Sequence, residues 1–301
     1  MSIPNYVNNP DFPPNPPPAD VDVSVVIPTK DRQHKIPTTI ASLQTQEYLP
    51  AEIIVVHTGT PEVKRLVDGF PNIVGVEQTE GGSAHARNLG IDHASGDIVA
   101  FTDDDCILPP NWISGIVWTI ECNEGIVTCG GSNWPHEAVR HRLAARVDEE
   151  RIRTNQLGWA KEQDDGVTIG GVELRTFGCQ NVAFSRDAIG STRYTSKGDL
   201  ESERPFQENV LDSGDNAYIP ITAWHFRDYT LVGLFQQRYR NGQASVRGRG
   251  GRSLLPSVVG LFAFPLLLFN ELRAANDSAV GFVKFLADMT ARLGAATNLW
   301  S

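Results

Sequence analysis

Three consecutive carboxylates, Asp103, Asp104 and Asp105, follow the uncharged run Ile98-Val-Ala-Phe-Thr102 and are stopped by Pro109 and Pro110. At contact distance such charges repel one another. The cluster is therefore either a solvated acidic turn or a site shared with a hard cation, which prefers oxygen ligands. The run before it has the pattern of a parallel-sheet strand buried on both faces, and ligands of open α/β sheets sit beyond the carboxyl ends of strands. That position favours the cation. Other residues able to do chemistry are spread along the chain: His57 after Glu52-Ile-Ile-Val-Val56, Arg87 in Ala86-Arg-Asn88, the acids Asp199, Glu201, Glu203 and Glu208, and His225 behind Trp224.

The elements that must position them can be read from periodicity. Val21-Asp-Val-Ser-Val-Val-Ile27 is a β-branched strand stopped by Pro28, and Ile36, Ile40 and Leu43 follow at helical spacing. Residues 52–56 form a second strand, a helix starts at Pro61, and a short strand falls near Ile73-Val-Gly-Val76. Glu80-Gly-Gly-Ser83 opens a helix that Ser95-Gly96 closes, and the acidic strand comes next. Such alternation predicts right-handed βαβ units and an α/β fold with a mainly parallel, Rossmann-like sheet flanked by helices. Farther on, residues 111–122 read as a helix, 125–131 as a strand, 136–161 as a long polar helix, 178–185 as a strand with Gln180 and Asn181 at its lip, and 217–224 as one strand.

Residues 1–20 carry seven prolines and little to bury, which reads as a flexible leader. Residues 251–301 change character. The uncharged run from Leu254 to Phe269 is short of a membrane span and holds Pro256 and Pro265. Arginines precede it at 238, 240, 247, 249 and 252, an order that suits contact with an anionic lipid surface, or packing on a second copy of the chain. Phe282, Phe285, Leu286, Met289 and Leu293 then form an amphipathic helix. A net charge of −10 argues against nucleic-acid binding. Cys106, Cys122, Cys129 and Cys179 have no paired short spacing, so neither a zinc knuckle nor a disulfide scaffold is expected. With no basic-then-apolar signal at the start, the expected location is cytoplasmic, with peripheral contact at the inner face of the cell membrane.

Taken in order, Val25-Val-Ile-Pro-Thr-Lys-Asp-Arg32, Glu52-Ile-Ile-Val-Val56, Gly81-Gly82 with Ala86-Arg-Asn-Leu-Gly90, Gly96 to Asp105, Gly178 to Ser185 and Trp224-His225 resemble the inverting, nucleotide-sugar-dependent glycosyltransferases of family 2. The likeness covers residues 21–245. It implies a GT-A domain at 21–250, with a nucleotide-binding half at 21–110 and an acceptor half at 111–250, followed by a helical extension at 251–301. It also implies a nucleoside-diphosphate sugar as donor, Mn²⁺ or Mg²⁺ as cofactor, and a glycan or lipid-linked hydroxyl as acceptor. By position in the family motifs, Pro28, Thr29, Asp31 and Arg32 contact the donor, as do Arg87, Asp103 and Asp104. Asp105, Asp103 and His225 surround the metal, and Gln180 and Asn181 line the acceptor pocket. Asp199 in Gly198-Asp-Leu-Glu201 matches the base, with Glu201 and Glu208 as alternatives. The chain departs from the family at His57-Thr-Gly59, where an acid normally reads the nucleotide base; an imidazole there is expected to bond the base instead. Gln237-Arg-Tyr-Arg240 lacks the Trp of processive synthases, so single addition is expected. A catalytically silent, nucleotide-binding scaffold of the same fold is the alternative reading.

Overall fold

The computed structural model describes residues 8–30, 32–152, 168–169, 177–195, 199–247 and 277–297, with backbone alone at 168–169, 199–202, 244–247 and 294–297. Two compact units divide the chain: Met1–Asn133 with Leu157–His225, and Trp134–Gln156 with Phe226–Ser301.

In the first unit, β-branched runs supply the strands and Pro or Gly punctuates them. Along the chain come β1 (Val23–Thr29), α1 (Ile36–Gln44), β2 (Glu52–His57), α2 (Pro61–Val67), β3 (Ile73–Glu77), α3 (Ser83–His93) and β4 (Ile98–Phe101). They are followed by β5 (Cys106–Ile107), α4 (Trp112–Glu121), β6 (Ile126–Gly130) and the short β7 (Asn133–Pro135), which ends the segment. After the second unit's first segment come β8 (Thr168–Ile169), β9 (Val182–Ser185), α6 (Arg186–Ile189), α7 (Asp199–Val210), β10 (Asp215–Tyr218) and β11 (Ala223–His225). The main sheet runs β3-β2-β1-β4-β9-β6-β10-β8 among the described residues. Its first four strands are parallel, β6 and β10 are parallel, and β9 and β8 run against their neighbours.

Strand order reverses at β1: β2 and β3 lie on one side and β4 on the other. This is the switch point at which loops diverge and leave a crevice beyond the strand ends. The β1–β4 ladder ends at the Val26–Phe101 pair, just before Pro28, which has no N–H to continue it. The end of β1 and the acidic end of β4 therefore meet at that crevice, where the Thr29 hydroxyl donates to Asp104.

One side of the sheet is covered by an aliphatic core that includes Val25, Ile27, Ile53 and Val55 with Ile36 and Ile40 of α1 and Trp112 and Ile116 of α4. On the other side α3 approaches closely enough that a Cβ on Gly90 would lie 2.2 Å from Val26 Cγ1. Only glycine fits there. Phe101, Phe184, Tyr194 and Phe206 form an aromatic cluster, with Tyr194 stacked on Phe206 at 3.9 Å and 11°. This cluster fixes α7 to the sheet.

Several sequence expectations are corrected. Residues 217–224 form two strands, because Pro220 interrupts the ladder and the chain leaves the main sheet there. The second piece, β11, pairs antiparallel with β5, placing His225 opposite Cys106. In the leader, Phe12 is buried and packs edge-on against Trp118 at 5.5 Å, while the Asn111 amide donates to the carbonyls of Asn9 and Phe12. The leader thus has an apolar anchor.

In the second unit α5 (Leu143–Arg151), α8 (Leu231–Arg247) and α9 (Ser278–Thr297) share a core of Ala144, Ala145, Val147, Tyr229, Leu234, Val280, Val283 and Ala287. The long helix expected from residue 136 begins at Leu143, after a single turn at Glu137–Val139. On α9 Phe285 is buried, but Phe282 and Leu293 are exposed; the inward face is set by Val280, Val283 and Ala287 instead. The apolar run 254–269, and with it most of the proposed lipid or subunit contact, lies outside the described residues. No described helix is long and apolar enough to cross a membrane.

Candidate active site

The three acids at the end of β4 divide between two arginines: Asp103 meets Arg87, and Asp104 and Asp105 share Arg32. Asp103 lies 3.7 Å from Arg87 Nη2. Asp104 accepts from the Thr29 hydroxyl at 2.6 Å and from Arg32 Nη1 at 2.9 Å. Asp105 accepts from the same Arg32 nitrogen at 3.0 Å and meets His225 Nε2 at 2.9 Å. An ionised carboxylate only accepts, so His225 Nε2 carries the proton in that pair. Asp104 and Asp105 are each only 2% exposed. They are not a solvated turn.

Their environments push the two acids apart. At Asp104 burial dominates, and the charges of Asp105 and Asp103 add to it; Thr29 and Arg32 offset only part, and the pKa is pushed up to about 6. Burial also acts on Asp105, but there His225, Arg32 and Lys35 outweigh it and hold the pKa at about 2. For His225 burial alone would favour the neutral ring, yet Cys106 and Asp105 outweigh it and raise the pKa well above the ordinary value.

A stability prediction follows from Asp104. Between pH 3.8, its ordinary pKa, and about 6, the folded state binds the extra proton, so its contribution to stability falls as pH rises through that window. In Asp104→Asn this dependence is absent. In denaturant titrations under chelator, the stability of Asp104→Asn relative to the parent should rise by roughly 2 kcal/mol between pH 4 and pH 7. A difference that stays constant with pH would show that Asp104 does not titrate there.

Arg87 is the hub on the other side of the crevice. It is 4% exposed, donates to Ser83 Oγ at 3.2 Å and sits 5.8 Å from the Tyr194 ring centroid. Its Nη1 also stands 3.5 Å from Glu203 Oε1, and its Nε has no hydrogen-bond partner among the described residues. Asn88, the next residue, accepts from Tyr194 N at 2.8 Å and donates to Tyr194 O at 2.9 Å, pinning the ring that flanks Arg87.

The motif match points to Asp199, Glu201 or Glu208 as the base, whereas the acid of that segment that stands against Arg87 is Glu203. Its face could have been read from spacing, because Phe206, Gln207 and Val210 follow at helical intervals and are buried. Gln207 clamps α7 by bonding both the N–H and the carbonyl of Phe177 at 2.8 Å. Asp199 and Glu201 occupy the first turn of α7, where only backbone is described. Glu208 is exposed and pairs with Arg204 at 2.7 Å on the helix surface.

The remaining expected residues are distributed as follows. Pro28 and Thr29 end β1 beside the acids, and Asp31 lies outside the described residues. Asn181 is fully buried; its amide accepts from Trp112 Nε1 and donates to the carbonyls of Ser132 and Ile221. Every polar atom of that amide is engaged, so it holds the core rather than lining a pocket. Gln180 is partly exposed and accepts from Asn133 at 3.2 Å.

His57 is 4% exposed, and its Nδ1 accepts from Gly59 N at 3.0 Å. Burial, the largest influence, lowers its pKa, so the ring is neutral with the proton on Nε2. Its acceptor nitrogen is used within the chain, leaving only a donor for a ligand. Gly59 itself has a φ of +83°, and a Cβ there would meet the Glu77 carboxylate at 2.6 Å.

Among the described residues one group of three possible ligand side chains stands close together: Asp105, Cys106 and His225, with ligand atoms within 4.8 Å of one another. Asp103 stands outside it, against Arg87.

Residues 24–171 match the family model described as glycosyl transferase family 2. Among curated proteins, a glucosyl-dolichyl phosphate glucuronosyltransferase of Haloferax volcanii is 34% identical over 175 residues, covering 56% of this chain and 53% of the relative. Glycosyltransferase AglE of the same organism is 33% identical over 118 residues, or 36% of this chain and 38% of that one. The chain thus spans about half or less of the length of these relatives. Among solved structures, the mannosyltransferase PcManGT from Pyrobaculum calidifontis, in complex with GDP-Man and Mn²⁺, superposes with a TM-score of 0.59 at 17% identity, over 94% of this chain and 89% of the other. That likeness is one of fold.

Proposed function

Because the chain belongs to glycosyl transferase family 2, we propose that it transfers one sugar, with inversion, from a nucleoside-diphosphate donor to the hydroxyl of a glycan or lipid-linked acceptor, using a divalent ion. The observation that carries this reading is the convergence at one strand end of Arg87, Arg32, the three aspartates and His225, with the Glu203 carboxylate beside Arg87. The GDP-Man and Mn²⁺ named for the fold neighbour support a nucleotide sugar and a metal. The dolichyl phosphate in the relative's name supports a lipid-linked acceptor.

Breaking the glycosidic bond leaves roughly two or more negative charges on a diphosphate. A bound divalent ion would act there as a Lewis acid, and Asp105 with His225 would hold it. The chain supplies the rest. Arg87 is an always-charged fork, buried and fixed, so it can meet phosphate oxygens without reorganising. Arg32 is half exposed and carries charge from the acids to the mouth of the crevice. Asp103 and Thr29 border the donor, and residues 21–110 hold the nucleotide. Inversion needs a base on the face opposite the leaving group, and Glu203, 3.5 Å from Arg87 Nη1, takes the acceptor's proton. Gln180 faces the acceptor. Peripheral attachment through residues 251–301 would bring a lipid-linked acceptor within reach.

Incubation with a panel of GDP-, UDP- and dTDP-sugars, Mn²⁺ or Mg²⁺, and glycan and polyprenyl-phosphate acceptors tests the reading. It predicts transfer from donors of one base, stopped by chelation. Absence of both transfer and nucleoside-diphosphate release from every donor would overturn it.

A further inference from the structure

Asp105 and Cys106 are neighbours in sequence, and in a regular strand their side chains would point to opposite faces. Here they do not diverge, because Asp105 lies in the turn before β5 and Cys106 begins the strand. The antiparallel pairing then sets His225 directly opposite Cys106, where cross-strand side chains meet most closely. The carboxylate, the thiol and the imidazole come within 4.8 Å of one another, and all three residues are buried. The Asp105 Oδ1 to His225 Nε2 separation of 2.9 Å is that of a hydrogen bond; two ligands about 2.1 Å from a shared tetrahedral ion stand about 3.4 Å apart, so the pair need part by only about half an ångström. A proton bridges them in the metal-free protein.

We propose that Cys106 is the third protein ligand of this site. Asp105, Cys106 and His225 together then bind a thiophilic divalent ion such as Zn²⁺ or Co²⁺ before any nucleotide is present. The inference rests on the diphosphate site proposed above and changes its metal chemistry. Asp105 and His225 alone, one oxygen and one nitrogen, would leave a hard ion dependent on phosphate for most of its coordination. Carboxylate, imidazole and thiolate instead form a set of three with an open position, the arrangement of catalytic zinc sites. Thiolate donors shift preference away from Mg²⁺ and Mn²⁺ toward Co²⁺ and Zn²⁺. On binding, the thiol and His225 Nε2 each lose a proton to solvent, and sulfur and nitrogen each donate a lone pair to the ion.

Titration of the full chain with Co²⁺ in the absence of nucleotide, followed by absorption spectroscopy, tests this directly. A sulfur-to-cobalt charge-transfer band in the near ultraviolet should appear, saturate near one equivalent, and be erased by Zn²⁺. It should persist in Cys122→Ser, which removes the exposed thiol. It should vanish in Cys106→Ser, whose Co²⁺ affinity falls by at least about tenfold. Cobalt binding without the band, a band lost in Cys122→Ser, or no binding at all would overturn the proposal. If Cys106→Ser does not fold, the parent and Cys122→Ser spectra decide. Metal-dependent nucleotide binding without the sulfur band would remove Cys106 from the site and leave the transferase reading standing.

Discussion

Replacing Glu203 with Gln is expected to slow sugar transfer by about 10²- to 10⁴-fold, the usual contribution of a general base, and to leave donor affinity within about twofold. The expectation comes from its place on α7, which is held on both flanks. Phe206 stacks on Tyr194, and Gln207 grips the backbone at Phe177. Glu203 is thereby presented to Arg87 at 3.5 Å, while Asp103 stands on the same guanidinium at 3.7 Å. A carboxylate paired with arginine stays ionised and oriented, although the pairing costs it some basicity. Gln keeps the shape and cannot take a proton. Asp199→Asn is the discriminating companion, since Asp199 stands one turn earlier on the same helix. Loss of transfer in Asp199→Asn with retention in Glu203→Gln would move the base to Asp199.

The parallel half of the fold was readable because each strand is a short β-branched run and each break is Pro or Gly. The acidic strand end could likewise be placed at a switch point by counting βαβ units. What the residues could not disclose was how Asp103, Asp104 and Asp105 divide their partners, because Arg87, Arg32, Thr29 and His225 are remote in sequence. His225 depends on a two-residue strand, β5, too short to leave a periodic trace. Pro220 was a visible sign that residues 217–224 would break, but not of where β11 would go. Asn181 looked like a polar lip because an amide beside a strand is ambiguous until its partners are known. Here they are Trp112, Ser132 and Ile221.

His57 shows how local chemistry can close off a role. The departure from the family's acid was visible in the sequence, and an imidazole able to bond a base was the natural expectation. Its acceptor nitrogen is instead committed to Gly59, so a donor N–H is all it can offer a nucleotide base.

The second large effect concerns Asp105, the most strongly held of the three acids. Asp105→Asn removes the charge and keeps one acceptor oxygen, enough for either Arg32 or His225 but not both. Removing one charge from a buried pair costs roughly 3–5 kcal/mol of stability, so the fold of the variant is checked before its binding is read. Calorimetry of the parent and this variant with nucleoside diphosphates, with and without divalent ion, tests most directly whether the acidic strand end is a metal–diphosphate site. For the parent, one nucleoside diphosphate should bind at least about tenfold more tightly with the ion than without it, a gain of roughly 1.4 kcal/mol. For Asp105→Asn the two affinities should coincide. Equal affinities with and without metal in the parent, or an undiminished metal effect in the variant, would contradict the assignment.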